Sequence, residues 1–234
     1  MKYTDTHKVL SQYTDVDGVL KPGALLRYMQ EAAANAMIAD GPSYDELARR
    51  GLVFVISKIT LSIYSDVHAN DEITVETWAT ESVRASFNRA YRVLRGGIVV
   101  AEAASVWALL DTNRHRLVRV GDVELCYRED EPLDLDIPAK MHLPENMKLV
   151  GERRVSYSDI DRNRHMNNTA YADMICDFIF RSEISRVSKM TISYVNEAPF
   201  GEELKVYVAS DDDTHHIRTI REDGKVNIEA EVIV

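Results

Sequence analysis

The sequence predicts an α+β protein built from two similar units, in each of which an antiparallel sheet covers one long helix. Three observations lead to this prediction. The two halves of the chain share three short matching segments in the same order. Each half has one segment with apolar residues at helical spacing. Each helical segment is followed by four segments in which apolar and polar residues alternate, as in half-buried strands.

The internal repeat indicates a gene duplication. Residues 13–17 (YTDVD) match 157–161 (YSDID), 57–63 (SKITLSI) match 188–194 (SKMTISY), and 97–103 match 224–230 more weakly. The offsets are 144 (157 minus 13), 131 (188 minus 57) and 127 (224 minus 97) residues. Chance explains one five-residue match far more easily than three in the same order.

The helical segments cover residues 22–39 in the first half and 167–182 in the second. Pro22 suits a first helical turn, where its missing N–H would have no partner. The apolar faces comprise Leu25, Tyr28, Met29, Ala32, Ala36 and Met37 in the first segment, and Tyr171, Met174, Ile175, Phe178 and Ile179 in the second.

The alternating segments predict strands joined by tight turns. They cover residues 53–65, 71–80, 87–95 and 98–111, then 186–196, 203–210, 215–220 and 225–234. Gly96 with Gly97, and Asp223 with Gly224, are expected in hairpin turns. An acidic, proline-containing stretch without periodicity separates the halves. We therefore expect a first domain over 1–120, a linker over 121–150 and a second domain over 151–234.

Composition narrows the function classes. The chain has 234 residues, 45% hydrophobic and 28% charged, which is typical of a soluble globular protein. Its net charge of −10 argues against nucleic acid as the main partner. The two cysteines lie far apart without metal-ligand spacing, so we expect no metal, cofactor or disulfide framework. With no apolar run near 20 residues and no signal-peptide pattern at the N-terminus, the expected location is the cytoplasm.

The two halves differ after the matched Tyr-x-Asp-x-Asp. Residues 157–168 read YSDIDRNRHMNN, which places Asp161, Asn163 and His165 within one short loop. A carboxylate, an amide and an imidazole can together move protons and hold charge on a carbonyl oxygen. The first half has no such group of side chains at the positions aligned by its tyrosine.

The string Asp161-x-Asn163-x-His165-x-Asn167-Asn168-x-x-Tyr171, in the second of two helix-and-sheet units, resembles the acyl-ACP thioesterases. The resemblance implies two tandem hotdog units, of which the first shapes an acyl pocket and the second is catalytic. It also implies hydrolysis of fatty acyl-ACP thioesters, which releases free fatty acid and ends chain elongation. In that family a Glu follows on the next strand, in a Tyr-x-x-Glu-Cys context, so the resemblance implies that Glu197 lies on a strand. The context reads here as residues 194–198 (YVNEA), with Glu197 present and Ala198 in place of the cysteine. No cysteine mechanism is therefore carried over.

The resemblance implies a catalytic set of Asp161, Asn163, His165 and Glu197. His165 and Glu197 would deprotonate water or protonate the leaving thiolate, and Asp161 would either attack or orient the site. Asn163, with N–H groups at the helix start, would hold the thioester carbonyl. Asn167 and Asn168 would bind substrate or cap the helix. Three further acids, Asp15, Asp17 and Asp159, are read as caps.

Other residues are assigned to substrate binding. Met29, Met37 and Trp107 are expected in the acyl pocket, together with Ala33, Phe54 and Ile56. Any one of them alone fits plain core better, and the resemblance implies the pocket wall for the group as a whole. The resemblance implies that the partner is acyl carrier protein bearing a 4′-phosphopantetheine-linked acyl chain. Arg162 and Arg164 are expected to meet its phosphate or its acidic surface. The same basic patch is extended by Arg153, Arg154, Arg181, Arg186 and Lys189.

Three other functions stay open from the sequence. The first is an acyl-CoA thioesterase, because the sequence does not exclude CoA as the carrier of the acyl chain. The second is a hotdog dehydratase, which also pairs an acid with a histidine. The third is a non-catalytic acyl-thioester binding protein. No nucleic acid or membrane partner is expected, and homodimerisation is left open.

Overall fold

The computed structural model describes residues 2–123, 125, 129–180 and 184–234. The chain divides into two compact units, Met1–Ile137 and Pro138–Val234. The division falls within the stretch that the sequence predicts as a linker. Within the described ranges, no helix is both long and apolar enough to cross a membrane.

Among its described residues, the first unit has six strands and two α-helices. Its elements are β1 (Tyr3–Lys8), α1 (Pro22–Asp40), α2 (Tyr44–Arg49), β2 (Leu52–Ile63), β3 (Glu72–Val83), β4 (Ser86–Arg95), β5 (Ile98–Asp111) and β6 (Arg116–Val118). The strands pair antiparallel in the order β1-β3-β4-β5-β2, and β6 pairs with the end of β5. Helix α1 packs on β3 and β1.

The described part of the second unit repeats this arrangement with five strands. Its elements are β7 (Lys148–Arg154), α3 (Ala170–Ile179), β8 (Lys189–Tyr194), β9 (Glu203–Asp211), β10 (Thr214–Ile220) and β11 (Val226–Ile233). The antiparallel order β8-β11-β10-β9-β7 matches β2-β5-β4-β3-β1 of the first unit. The same topology in both units supports the duplication predicted from the sequence.

Helix α1 ends within one residue of the prediction. Pro22 occupies its first turn, and the helix ends where Gly41 adopts an extended conformation. The buried residues of α1 recur at helical spacing, as an amphipathic helix on a sheet requires: Gly23, Ala24, Leu25, Leu26, Met29, Ala32, Ala33 and Ala36.

Helix α3 is shorter than the predicted 167–182. It begins at Ala170 because Asn167 and Thr169 form a side-chain turn ahead of it. It ends at Ile179, since Phe180 leaves the helical conformation. The remainder of the prediction, at 181 and 182, lies outside the described residues.

Two local features complete the fold. Gly96 and Gly97 both have positive φ (+58° and +81°), so they form the two-residue hairpin turn expected between β4 and β5. Helix α2 was not predicted, although Ser43 and Glu46 form a reciprocal capping box at its start. This short helix accounts for part of the additional residues that the first half has, compared with the second, between its long helix and the next strand.

Candidate active site

The loop that carries Asp161 and His165 folds back on itself. The N–H of Asp161 donates to the His165 carbonyl at 3.1 Å, and the N–H of Arg164 donates to the Asp161 carbonyl at 3.0 Å. Oδ1 of Asp161 closes the turn by accepting from the N–H of Asn163 at 2.8 Å. Arg164 has a φ of +67°, a left-handed conformation that a side chain disfavours. The loop is thus tightly held, and one of its residues is conformationally strained.

The first unit contains the same loop in a register that differs from the sequence match. The N–H of Asp15 donates to the Val19 carbonyl at 2.8 Å, and the N–H of Gly18 donates to the Asp15 carbonyl at 3.1 Å. Oδ1 of Asp15 accepts from the N–H of Asp17 at 2.9 Å, and Gly18 has a φ of +77°. Asp15 is therefore the counterpart of Asp161, at an offset of 146 residues (161 minus 15) rather than 144.

The corrected register shows what the first unit lacks. Val19 stands where the second unit has His165, and Lys21 stands where it has Asn167. The predicted register was wrong because it aligned the two tyrosines. Tyr13 is the last residue of the short 3-10 helix Ser11–Tyr13, whereas Tyr157 is the first residue of its counterpart Tyr157–Asp159. The first unit keeps Asp15 and the turn but has no imidazole at the position of His165.

His165 and Glu197 form the central pair of the site, with Nε2 of His165 3.2 Å from Oε2 of Glu197. The N–H of Met166 donates to the Ala198 carbonyl at 2.9 Å, which joins the His165 loop to the segment after β8. The His165 side chain is 35% exposed and that of Glu197 is 62% exposed. Solvent water therefore reaches the pair and screens its attraction.

Glu197 was expected on a strand, and this expectation was wrong. Strand β8 ends at Tyr194. The N–H groups of Val195 and Asn196 then both turn to the Asn227 carbonyl, at 2.9 and 3.0 Å. Glu197 follows in the loop, where it meets His165.

Asn167 closes the turn before α3 and also contacts Asp161, whereas its predicted contact with substrate stays a prediction. Its Oδ1 accepts from the N–H of Thr169 at 2.9 Å and from the Thr169 hydroxyl at 2.7 Å, which closes the turn before α3. Its Nδ2 donates to Oδ2 of Asp161 at 3.4 Å. Together with the bond from Asn163, each carboxylate oxygen of Asp161 accepts a hydrogen bond from its own loop.

The other two asparagines contribute differently. The carbonyl of Asn168 accepts a hydrogen bond from the Tyr194 hydroxyl at 2.9 Å, which ties the start of α3 to β8. The side chain of Asn163 is exposed, and α3 begins only at Ala170. The predicted helix start at residue 167 is therefore closer to Asn163 along the chain than the observed start at Ala170.

Two tyrosines support the start of α3. The rings of Tyr171 and Tyr194 meet edge to face with centroids 5.7 Å apart. Burial raises the pKa of Tyr171 to about 12, against a hydrogen bond from Asn227 that lowers it. Burial also raises the pKa of Tyr194. Both hydroxyls therefore stay protonated at neutral pH.

Asp159 acts as a cap, as expected. Its Oδ2 accepts from the N–H of Ser156 at 2.7 Å, and its Oδ1 lies 2.6 Å from Nη2 of Arg153. Asp15 closes a loop rather than capping a helix. The ion pair with Asp159 engages Arg153, which the sequence assigned to the basic patch.

Arg162 and Arg164 are exposed beside the catalytic loop. Arg164 forms no ion pair with any residue in the part of the chain that the structure describes. Arg181, another predicted member of the patch, lies outside the described residues. The exposed position of the two arginines is compatible with a contact to an anion.

The predicted pocket residues belong to the first unit. Met29 is buried on α1 and Met37 is half-buried two turns later. Trp107 of β5 lies opposite Ile56 of β2 and Phe87 of β4, which makes one apolar row across three strands. Phe54 packs edge to face on Phe87 with centroids 5.3 Å apart. Their role as a pocket wall stays a prediction.

Sequence reasoning missed the polar residues behind Glu197. Asn227 and Thr219 are fully buried and bonded to each other, with Oγ1 of Thr219 2.8 Å from Oδ1 of Asn227. The 127-residue offset of the third repeat pairs Asn227 with Val100, so an apolar-to-polar exchange was visible in the sequence. Among the described residues, no group of three or more His, Cys, Asp or Glu side chains could hold a metal ion.

Family models match both parts of the chain. Residues 1–126 match the acyl-ACP thioesterase N-terminal domain and residues 144–233 match the C-terminal domain of the same family. Among curated relatives, a palmitoyl-acyl carrier protein thioesterase of Arabidopsis thaliana is 22% identical over 191 residues, covering 74% of this chain and 46% of the relative. An oleoyl-acyl carrier protein thioesterase of the same plant is 24% identical, covering 72% and 52%. The chain thus spans about half the length of the curated relatives it matches.

Solved structures match over almost the whole chain. An acyl-ACP thioesterase from Bacteroides thetaiotaomicron superposes with a TM-score of 0.89 at 23% identity, covering 99% of this chain and 97% of that one. A 12:0-ACP thioesterase from Umbellularia californica gives 0.81 at 19% identity, covering 99% and 96%. These likenesses confirm the tandem hotdog fold that the sequence resemblance implied.

Proposed function

Because the chain belongs to the acyl-ACP thioesterase family, we propose that it hydrolyses fatty acyl-ACP thioesters, releasing free fatty acid and ending chain elongation. The observation that carries the proposal is the contact between His165 and Glu197, 3.2 Å apart beside the loop that holds Asp161. An imidazole bonded to a carboxylate and open to water is suited to general acid–base catalysis. A cytoplasmic location is part of the proposal.

In the reaction, water attacks the thioester carbonyl carbon and the C–S bond breaks. His165 takes a proton from the attacking water and returns it to the leaving sulfur. Glu197 orients the imidazole and stabilises the imidazolium that forms. The products are the fatty acid and the free thiol of the carrier, so the proton count balances.

Asp161 is proposed to orient the site rather than to attack. Its two oxygens already accept hydrogen bonds from the Asn163 N–H and the Asn167 amide. Such bonds stabilise the carboxylate charge, which makes the oxygens poorer nucleophiles. The exposed Asn163 side chain is the proposed hydrogen-bond donor to the carbonyl oxygen.

The acyl chain is proposed to lie against Met29, Met37 and Trp107. Support comes from the apolar row that Trp107 forms with Ile56 and Phe87 in the first unit. Enlarging Met29 to Trp is expected to shift the preferred substrate toward shorter chains. An unchanged chain-length profile would remove Met29 from the pocket.

Arg162 and Arg164 are proposed to meet the phosphate of the phosphopantetheine arm. A protein of net charge −10 needs a local basic site to bind an acidic carrier. Arg164 forms no ion pair within the described part of the chain and its side chain is exposed, so its guanidinium is available to an anion. The same phosphate occurs in CoA, so the runner-up is an acyl-CoA thioesterase.

Single substitutions test the assignment with an internal control. Asp161→Asn, His165→Ala and Glu197→Gln are each expected to lower kcat by about 100-fold or more. Asp15→Asn is the matched control, because Asp15 holds the equivalent loop in the first unit. Free thiol release from acyl-ACP measures the rates, and circular dichroism checks the fold. Near-normal rates in all three site variants would refute the assignment.

A further inference from the structure

A buried polar cluster lies directly behind the Glu197 loop, with Asn227 of β11 at its centre. Asn227 is fully buried, and its Nδ2 donates to the Tyr171 hydroxyl at 2.9 Å and to the Asn196 carbonyl at 2.5 Å. Its Oδ1 accepts from the Thr219 hydroxyl at 2.8 Å. Oγ1 of Thr219 in turn accepts from the N–H of Ile228 at 3.2 Å. We call Tyr171, Thr219 and Asn227 the polar trio.

In the first unit, apolar residues occupy the positions equivalent to the polar trio. Its Val100 carbonyl accepts from the N–H groups of Tyr64 and Ser65, as the Asn227 carbonyl accepts from Val195 and Asn196. Val100 is therefore the counterpart of Asn227. By strand pairing and loop register, Thr219 corresponds to Val93 and Tyr171 to Leu25. All three apolar counterparts are buried.

This difference is not required by the fold. A buried polar group must first lose its water, and a hydrogen bond inside the protein returns only slightly more than that loss. Apolar residues of similar shape are often as stable or more so. The first unit forms the same sheet and the same loop with Val, Val and Leu. The polar trio therefore needs a reason other than stability.

The bonds of the trio supply that reason. Asn227 binds both the N–H and the carbonyl of Asn196, and Asn196 Nδ2 donates to the Val226 carbonyl at 2.7 Å. On the other side of Glu197, the carbonyl of Ala198 is held by the N–H of Met166. Glu197 therefore lies between two residues whose backbones are held by hydrogen bonds. Asn196 is bonded to β11, and Ala198 is bonded to the His165 loop.

We propose that Tyr171, Thr219 and Asn227 act as positioning residues that hold Glu197 against His165 for the reaction. The inference rests on the proposed thioester hydrolysis for its kinetic consequences. Tyr171 extends the effect to α3, because its hydroxyl links the first turn of that helix to Asn227. The first unit, which has Val19 at the position of His165, has the apolar residues Leu25, Val93 and Val100 at the positions of the trio.

The test replaces the trio with the residues of the first unit. The triple variant Tyr171→Leu, Thr219→Val, Asn227→Val removes the three side chains together, so no member of the trio is left unpaired, although the Asn196 carbonyl and the Ile228 N–H each lose one bond. We expect it to fold with a lower melting temperature, because replacing the buried Tyr171 by Leu leaves a cavity. We expect its kcat to be at least about 10-fold lower and its KM to stay within about 2-fold. The control is Thr77→Val, which removes the bonds of a fully buried hydroxyl from β3 of the first unit. It is expected to lower the melting temperature without changing kcat.

A double-variant comparison separates positioning from general damage. Glu197→Gln is expected to lower kcat strongly in the wild-type background and by less than about 3-fold in the triple variant, because Glu197 is already misplaced there. A full Glu197→Gln effect in both backgrounds, or a triple variant with wild-type kcat, would overturn the inference.

A measurement that does not depend on turnover distinguishes the positioning of Glu197 from the proposed hydrolysis. In histidine-labelled protein, His165→Ala identifies the His165 ring signals among seven histidines. Glu197→Gln should shift those signals, and the triple variant should reproduce that shift. If wild type releases no thiol, the proposed function fails, yet the ring spectra still decide the positioning. Ring signals unchanged in the triple variant would refute it.

Discussion

The strained conformation of Arg164 predicts the sign of the change in the free energy of unfolding when this residue is replaced by glycine. At φ +67° a side chain costs about 1–2 kcal/mol, a strain that glycine avoids. Glycine adds roughly 0.5–1 kcal/mol of chain entropy to the unfolded state. Arg164→Gly should therefore raise the free energy of unfolding by about 0.5–1 kcal/mol. The first unit supports this sign, because Gly18 occupies the equivalent position with a φ of +77°.

The matched control lies two residues earlier. Arg162 is also exposed but has no positive φ, so Arg162→Gly relieves no strain. It adds the entropy term and also removes the interactions of the Arg162 side chain, so it should lower the free energy of unfolding by roughly 0.5–1 kcal/mol or more. The two variants should thus differ by about 1–2 kcal/mol or more, which is roughly 5–10 °C or more for a unit of this size. Thermal and urea unfolding followed by circular dichroism measure the difference. If Arg164→Gly destabilises as much as Arg162→Gly, the reasoning about this loop is refuted.

The remaining predictions concern groups whose pKa is raised by burial. The pKa of Tyr171 is about 12 in the folded chain and 10 in the unfolded one, so its contribution to stability is complete below pH 10 and is lost as the pH rises toward 12. Between pH 9 and pH 11 wild type should lose about 1 kcal/mol more than Tyr171→Phe in urea unfolding, and equal losses would contradict this. Burial raises the pKa of Cys176 to about 12. In a Cys126→Ser background, iodoacetamide should alkylate Cys176 at pH 8 at least about 100-fold more slowly than free cysteine, and rapid labelling would count against its burial.

The fold could be predicted because its determinants are local patterns repeated twice. The apolar spacing over residues 22–39 gave α1 within one residue, and Gly96 with Gly97 gave the hairpin between β4 and β5. The residues of the motif loop were also identified, because Asp161, Asn163 and His165 are close in sequence. The contact between His165 and Glu197 was expected through the family resemblance, since 32 residues separate them in the chain.

The wrong predictions share one physical cause, which is that the hydrogen bonds of the folded chain cannot be read from the sequence. Matching Tyr13 to Tyr157 gave the wrong register, whereas the bonds made by Asp15 and Asp161 give the right one. Glu197 was placed on a strand through the family resemblance, but β8 ends at Tyr194, because the N–H groups of Val195 and Asn196 both bond to the Asn227 carbonyl. The apolar-to-polar exchange at Asn227 could be read from the repeat, but its partners across three elements could not.

The measurement that tests the central claim most directly is free-thiol release from matched acyl-ACP and acyl-CoA substrates across chain lengths, with His165→Ala as the control. The account predicts faster release from acyl-ACP than from acyl-CoA and loss of release in the variant. Release from acyl-CoA alone would keep the chemistry of His165 and Glu197 but contradict the proposed carrier. No release from either substrate, or full release by the variant, would contradict the proposed function.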